Sequence, residues 1–324
     1  MDFILIYLLS WAIFLLIIGY ILPSIRNKII ARISAWAIIL STTFFSILIT
    51  ADQTALYRMA AICSLQLISM KTIVMVETYS GKPKLNIIQW LCFAGGWFGM
   101  RPVLFETLLT KSSYKATPLL FKSISRIILG MALLMGSHLV EENYYHSFYT
   151  SDLLMYAGMS FILHFGILNL STVLWRSLGV DVIELFLEPA RSRSLKEFWG
   201  KRWNMAFSEM TALIIYKPLV GKYGKNTAML SAFLVSGILH EIAISFPVGI
   251  GYGFPLLFFV IHGIGMTAEN MSPFVKKIIE HKFLSHFWVF AWLLVPMPLL
   301  FHSGFTDLVA KPLRYFLLSI IGVL

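Results

Sequence analysis

Midway along the hydrophobic run "LSAFLVSGILHEIAISF", Leu230 to Phe246, stand two ionisable residues side by side, His240 and Glu241. Charged or titratable groups at membrane depth cost several kcal/mol unless paired or hydrated. They therefore mark substrate pathways and proton relays, and the pair is a candidate chemical site. Ser236 and Gly237 fall one turn earlier on the same helical face, which predicts a small-residue groove along which a chain could pass. His164 in "FILHFGIL" and His262 in "FVIHGIG" compete for the same reading. A lone histidine in a span commonly serves as an interhelical hydrogen-bond partner; the adjacent Glu241 and the small-residue face set His240 apart. Glu241 itself is expected to orient a helix or to neutralise a basic partner.

A second constellation is "SLKEFWGKRWNMAFSEM", Ser194 to Met210. Ser194 followed three residues later by Glu197, after Pro189 and Ser192, has the form of a capping box and predicts a helix start there. On a regular helix Phe198, Trp199, Arg202 and Trp203 fall within an arc of about 140°. Asn204 then lies on the opposite side from Arg202, beside Gly200 and Ser208. Such a segment reads as an interfacial amphipathic helix, or as a cytosolic gate for a ligand with a phosphate-bearing head and an apolar tail. The two readings are compatible. Other motifs fail: "HEIAI" lacks the second histidine of a zinc-binding HExxH, "GKYGKNT" has the wrong spacing for a P-loop, and no GxSxG elbow occurs. No metal site is expected.

The elements that must position these groups are helices in a bilayer. Of 324 residues, 58% are hydrophobic and 13% charged, against roughly 25% charged in soluble domains. Phe3 to Leu22 is free of charge, long for a signal peptide, and expected to be a retained anchor. Further spans are expected at Trp36–Thr50, Met59–Val76, Ile127–Val140, Leu153–Trp175, Ala228–Ile250, Phe254–Ala268, Phe283–Phe301 and Tyr315–Leu324. Ile87–Phe105 and Thr211–Val220 are interrupted and read as re-entrant, interfacial or buried helices. The expectation is an all-α, polytopic integral membrane protein with about eight to ten crossings. It forms a single membrane-embedded domain over residues 1–324, with a cytosolic region at about 176–227 and the histidine-bearing span at about 228–250.

Basic loops after the first span (Arg26, Lys28, Arg32), around Lys82 to Lys122, around Arg191 to Arg202 and at Lys276 to Lys282 contrast with "EENYYHSFYTS", Glu141–Ser151, which has no lysine or arginine. The positive-inside rule then sets the amino terminus outside and the basic loops in the cytosol, provided Ile87–Phe105 does not cross. Much of the net charge of +10 is accounted for by this bias, so it implies no nucleic-acid partner; a share remains for an anionic ligand. Cys63 and Cys92 lie in apolar segments and are expected to be small buried side chains rather than a disulfide.

In this order, the two constellations resemble the membrane-bound O-acyltransferase family and, within it, the wax synthase branch. "EPARSRSLKEFWGKRWN" is similar to that branch's P-x-x-x-x-SL-x-x-FWG-[RK]-RWN signature, and "SAFLVSGILHEI" to its S-x-F-x-x-SG-x-x-HE signature. The 36 residues from Asn204 to His240 match the family's spacing, and the chain length suits the short wax synthase type. The resemblance implies an acyltransferase that moves a fatty acyl group from acyl-CoA, a co-substrate rather than a bound cofactor, to a long-chain or other lipophilic alcohol. His240 would be the general base and Asn204 would orient the acyl donor or stabilise the oxyanion. Lys201 and Arg202 would meet the CoA phosphates, and Phe198, Trp199 and Trp203 would pack on CoA or on neighbouring helices. Ser236, Gly237 and Glu241 would support the histidine. A sterol or a specialised natural product is an alternative acceptor. From a different class, a transporter relaying protons through His240 and Glu241 lacks the inverted pair of Gly- or Pro-broken spans that such folds carry.

Overall fold

A computed structural model describes residues 2–143 and 148–322. In chain order its helices are α1 (Asp2–Ile21), α2 (Lys28–Ile49), α3 (Ala55–Tyr79), α4 (Ile87–Gly96), α5 (Thr117–Asn143), α6 (Phe148–Ile162), α7 (Leu168–Ser177), α8 (Leu195–Glu197), α9 (Met205–Thr211), α10 (Lys217–Val248), α11 (Phe254–Met271), α12 (Pro273–Glu280), α13 (Lys282–Leu294), α14 (Met297–Leu300), α15 (Ser303–Phe305) and α16 (Lys311–Ile320). The architecture is all-α, as the composition implies. Among the described residues seven helical stretches are long and apolar enough to cross a membrane: Phe3–Ser24, Lys28–Ile49, Ala55–Tyr79, Thr117–Asn143, Tyr149–Ser177, Met205–Val248 and Lys282–Leu300.

The count falls below the eight to ten expected from hydropathy. α11 interrupts its apolar run with His262, Glu269 and Asn270, and α16 is only 10 residues long. Of the aromatic loop Glu141–Ser151, residues 144–147 lie outside the described residues, as do Val323 and Leu324 at the end of the last expected span.

The chain packs into two compact units. The first comprises Met1–Glu106 and Leu187–His302, and contains both constellations. α2 shows why its helices suit lipid. Its buried face carries Ala31, Ala35, Ile39, Thr42 and Ser46, while Ile33, Leu40, Phe44 and Leu48 are more than half exposed. Small residues inward let backbones approach, and bulky apolar residues outward match acyl chains. α3 is the most enclosed of the spans, with 61% of its hydrophobic window buried. Arg32 of α2 grips its Glu77 through both carboxylate oxygens, at 2.5 and 2.9 Å.

α3 also buries Lys71 completely. Its Nζ donates to the carbonyls of Phe93 (2.6 Å), Trp97 (2.6 Å) and Gly99 (3.0 Å), at and beyond the carboxyl end of α4. The orphan carbonyls of a helix end are thereby satisfied inside the protein. With 10 residues, α4 is about 15 Å long and half the thickness of a hydrocarbon core. The interrupted Ile87–Phe105 segment is therefore a short helix plugged onto α3 and not a crossing.

The second unit comprises Thr107–Phe186 and Ser303–Leu324. α5 and α6 meet at Gly130 and Gly158, where a Cβ on Gly158 would come within 2.8 Å of the Gly130 carbonyl. Arg314, wholly buried, pairs with Glu141 and donates to Ser137 Oγ at 2.9 Å. Cys63 is on an exposed helix face and Cys92 is half-buried, so only Cys92 approaches the buried position expected of both; each is a free thiol.

Candidate active site

α10 carries His240, and its local geometry fixes the tautomer. His240 Nδ1 lies 2.7 Å from the Ser236 carbonyl oxygen. A carbonyl can only accept, so Nδ1 bears the proton and Nε2 presents its lone pair. The ring is held between Phe259 of α11 (centroids 4.2 Å apart) and Phe207 of α9 (5.8 Å, edge-on). Ser236 supports the histidine through its backbone, while its hydroxyl donates to the Ala232 carbonyl at 2.8 Å.

Gly237 has a different role from the one expected. An added Cβ would sit 2.7 Å from Leu256 Cδ1 and 3.1 Å from Leu256 Cα. The small-residue face at Gly237 is thus filled by α11 and is a helix–helix contact, not the groove expected at that point. Glu241 does orient a helix: Oε1 accepts from Gly253 N–H (2.8 Å) and Oε2 from Leu256 N–H (3.3 Å). Those donors belong to the first turn of α11, whose unpaired N–H groups and positive end favour a carboxylate. The turn before it runs through Gly249, Gly251 and Gly253 at φ of 76°, 78° and 87°, a conformation other residues rarely adopt. With both oxygens engaged, Glu241 offers no second step to a proton relay.

The Ser194–Met210 segment departs from a regular helix. Ser194 Oγ accepts from Glu197 N–H at 3.0 Å, as the capping motif predicts. Glu197 reaches back one residue further than expected, accepting from Arg193 N–H at 2.9 Å. Only Leu195–Glu197 is α-helical; Phe198–Arg202 follows as a π turn closed by Trp203 N–H donating to the Phe198 carbonyl at 2.8 Å. The wider turn breaks the 100° register, so the expected single aromatic arc splits. Phe198 and Trp203 stack on each other at 5.4 Å and 14°. Trp199 turns inward instead, against Phe233 of α10 and Phe258, Phe259 and His262 of α11. Of the packing partners expected for Trp199, the structure supplies the neighbouring helices.

Arg202 also differs from expectation. Its Nε donates to Glu197 Oε1 at 2.7 Å and its Nη1 to the Leu187 carbonyl at 3.1 Å. A guanidinium so engaged braces the loop and is not a free phosphate ligand. Burial pushes the Glu197 carboxyl upward, but the Arg193 amide and the Arg202 guanidinium outweigh it and hold Glu197 below the ordinary carboxylate value. Lys201, by contrast, is exposed, as are Lys196 and Arg191.

Asn204 ends the π turn in the left-handed region, at φ 46° and ψ 64°. Asparagine tolerates this conformation better than other side chains. Its Oδ1 accepts from Phe207 N–H at 3.2 Å, capping α9. That assigns the oxygen and leaves the Nδ2 hydrogens as the donors available to a substrate. α9 therefore begins at Asn204 and, one turn on, lays Phe207 against His240.

Sequence reasoning missed Glu269. Its Oε1 accepts from Leu195 N–H (2.6 Å) and Trp288 Nε1–H (3.0 Å), and its Oε2 from Lys196 N–H (3.0 Å). This carboxylate on α11 fastens the start of α8 to the helix that also packs on His240. The signal was present, since an unpaired glutamate in an apolar helix demands partners, but its two backbone partners lie 73 and 74 residues away in sequence.

A family model for membrane bound O-acyl transferases matches residues 182–261, which span the π turn, Asn204 and His240. The match lies on the segment that carries both constellations, and with its seven long apolar helices the chain is a multi-pass integral membrane protein. The long-chain-alcohol O-fatty-acyltransferase of Simmondsia chinensis is 34% identical over 115 residues, 33% of this chain and 32% of that protein. In Arabidopsis thaliana, the probable long-chain-alcohol O-fatty-acyltransferase 6 is 29% identical over 192 residues, 51% of this chain and 54% of that protein. The probable long-chain-alcohol O-fatty-acyltransferase 9 of the same plant is 25% identical over 252 residues, 72% of this chain and 71% of that protein. The chain thus aligns with about a third to a half of the first two relatives' length.

Proposed function

We propose that the protein transfers a fatty acyl group from acyl-CoA to the hydroxyl of a lipophilic, long-chain alcohol, forming a neutral ester. The observation that carries this reading is the tautomer of His240: with Nδ1–H donated to the Ser236 carbonyl, Nε2 is a base held between two phenyl rings inside a span. Nε2 takes the hydroxyl proton as the alcohol oxygen bonds to the thioester carbonyl carbon. The C–S bond then breaks, and the departing thiolate takes the proton back from Nε2–H. Asn204 Nδ2 donates to the oxyanion of the tetrahedral intermediate, an effect of about 3 kcal/mol in a preorganised site. A water-poor setting favours transfer to the alcohol over hydrolysis of the thioester.

The exposed Lys201, Lys196 and Arg191 around the π turn are the groups that meet the CoA phosphates, while Arg202 keeps that turn in shape. The orientation follows: this loop and the other basic loops face the cytosol, and the amino terminus lies on the far side. An apolar groove of about 360 Å³ on α10 and α11, bordered by Leu230, Ile264 and Met271, suits an acyl or alkyl tail. Purified protein given radiolabelled acyl-CoA and a panel of alcohols should move label into a neutral lipid. Loss of that label in His240→Ala supports the reading; wild-type ester synthesis by that variant overturns it.

A further inference from the structure

At the basic end of the α10–α11 helix pair, the outward faces of both helices change character at one level. On α10, Leu230, Leu234 and Ile238 are exposed and apolar, and the turns before them expose Lys222, Tyr223 and Lys225. On α11, Ile264 and Met271 are exposed and apolar, and α12 then exposes Lys276 and Lys277. Met229 Sδ and Asn270 Nδ2, 3.9 Å apart, bring the two transitions side by side. Apolar surface giving way to lysine marks the boundary between acyl chains and headgroups.

The apolar groove of about 360 Å³ lies at this level, and Ser272 forms part of its lining. Lys276 N–H donates to the Ser272 carbonyl at 3.1 Å, which sets that lysine one turn beyond the lining. Lys225 precedes Leu230 by less than two turns of α10. Among the described residues, Lys225, Lys276 and Lys277 form no ion pair. α10 has no acid before Glu241. The single acid of α12, Glu280, closes the far end of that helix, where its carbonyl accepts from Arg193 at 3.0 Å. Uncompensated ammonium groups at the end of an apolar groove match an anion that carries a hydrocarbon tail, and lysine stems are long enough to reach its head.

That tail belongs to neither reacting substrate. His240 is about 15 Å along α10 from Leu230, and neither Phe207 nor Phe259, the rings that hold it, lines the groove. Leu195, at the start of the segment that carries the CoA-facing lysines, packs with the buried Met229 and Met266, on the inward side of the same helices.

We propose that this groove binds one anionic phospholipid of the cytosolic leaflet, with an acyl chain against Leu230, Ile264 and Met271 and the headgroup phosphate met by Lys225 and Lys276. The inference uses the orientation given above and goes beyond acyl transfer. It ties the basic end of the helix pair that carries His240 to the charge of the leaflet.

The test is native mass spectrometry of the purified full chain in micelles holding phosphatidylglycerol and phosphatidylcholine with the same chains. Wild type should retain phosphatidylglycerol in preference. Lys276→Gln should lower that retention about fivefold, the worth of one lysine beside an anionic headgroup, and leave phosphatidylcholine unchanged. Lys276→Arg should keep the preference, and Lys111→Gln, an exposed lysine of the other unit, should not move it. Ala268→Trp, which fills the groove, should lower retention of both lipids. Equal retention of the two lipids by wild type overturns the proposal. An equal loss in Lys111→Gln also overturns it, because the preference is then diffuse charge. Displacement of the lipid by long-chain acyl-CoA overturns it too, because the groove is then the donor's own. If Ala268→Trp does not fold, wild type decides: short-chain phosphatidylglycerol must be retained several-fold less than the long-chain form, and equal retention overturns the groove. These failures leave ester synthesis standing, while a wild type that acylates no alcohol leaves the lipid measurement standing.

Discussion

His240 on α10 and His262 on α11 have the same local bond, Nδ1 to the carbonyl four residues earlier, at 2.7 and 2.8 Å. Each therefore presents Nε2 as an acceptor. Their surroundings separate them. His240 keeps some accessible surface between Phe207 and Phe259, and α9, which contributes Phe207, starts at Asn204. His262 is sealed against Trp199 and Phe258, with an orphan indole N–H for company. A backbone-fixed tautomer is thus common to both histidines, and the difference in role comes from which donor stands nearby and which ring is accessible.

The comparison can be broken most forcefully at its first member. His240→Ala should lower turnover by about 10²–10⁴-fold, the usual worth of a general base, with acyl-CoA binding retained; single-turnover measurements check both. A comparable loss in His262→Phe would erase the distinction. Next in size is Asn204. Asn204→Gly retains the left-handed backbone and removes the amide, so kcat should fall about 10²-fold or more with the melting temperature little changed. Asn204→Ala adds about 1–2 kcal/mol of backbone strain to the same loss, visible as a lower melting temperature.

Glu269 tests the scaffold beneath both histidines. Glu269→Leu strands the Leu195 and Lys196 amides and the Trp288 indole, and should destabilise by about 2–4 kcal/mol, with a rise in acyl-CoA KM as the π turn loosens. Glu197 gives the smallest effect. Its folded carboxyl lies below the ordinary 4.5, so its stabilisation is complete above about pH 4.5 and is lost as pH falls through the lowered value. Thermal melts should show a wild-type advantage over Glu197→Gln of under about 1 kcal/mol at neutral pH, disappearing in acid.

Much of this was legible in the amino-acid sequence. An ionisable pair in a span, a capping serine and the FWG and HE motifs pointed to the same segments that the structure brings together through Phe207 and Phe259. Glu241 does the orienting work expected of it. The rest was hidden for physical reasons. Helical periodicity assumes 100° per residue, and the π turn at Phe198–Arg202 breaks that rule, sending Trp199 inward and Arg202 onto Glu197. Gly237 reads as open space until Leu256, from the next helix, is seen to fill it. The partners of Lys71, and two of the three partners of Glu269, are backbone groups, which carry no sequence signature at all.

The central claim is that Nε2 of His240 is the base, and it can be addressed at that atom. Replacing His240 with 2-pyrrolylalanine, in which a C–H stands where Nε2 was, keeps a five-membered aromatic ring, its stacking and the N–H donated to Ser236 while removing the lone pair. Ester formation from labelled acyl-CoA should fall to the level of His240→Ala, with donor binding intact. Ester formation at the wild-type rate would contradict the assignment.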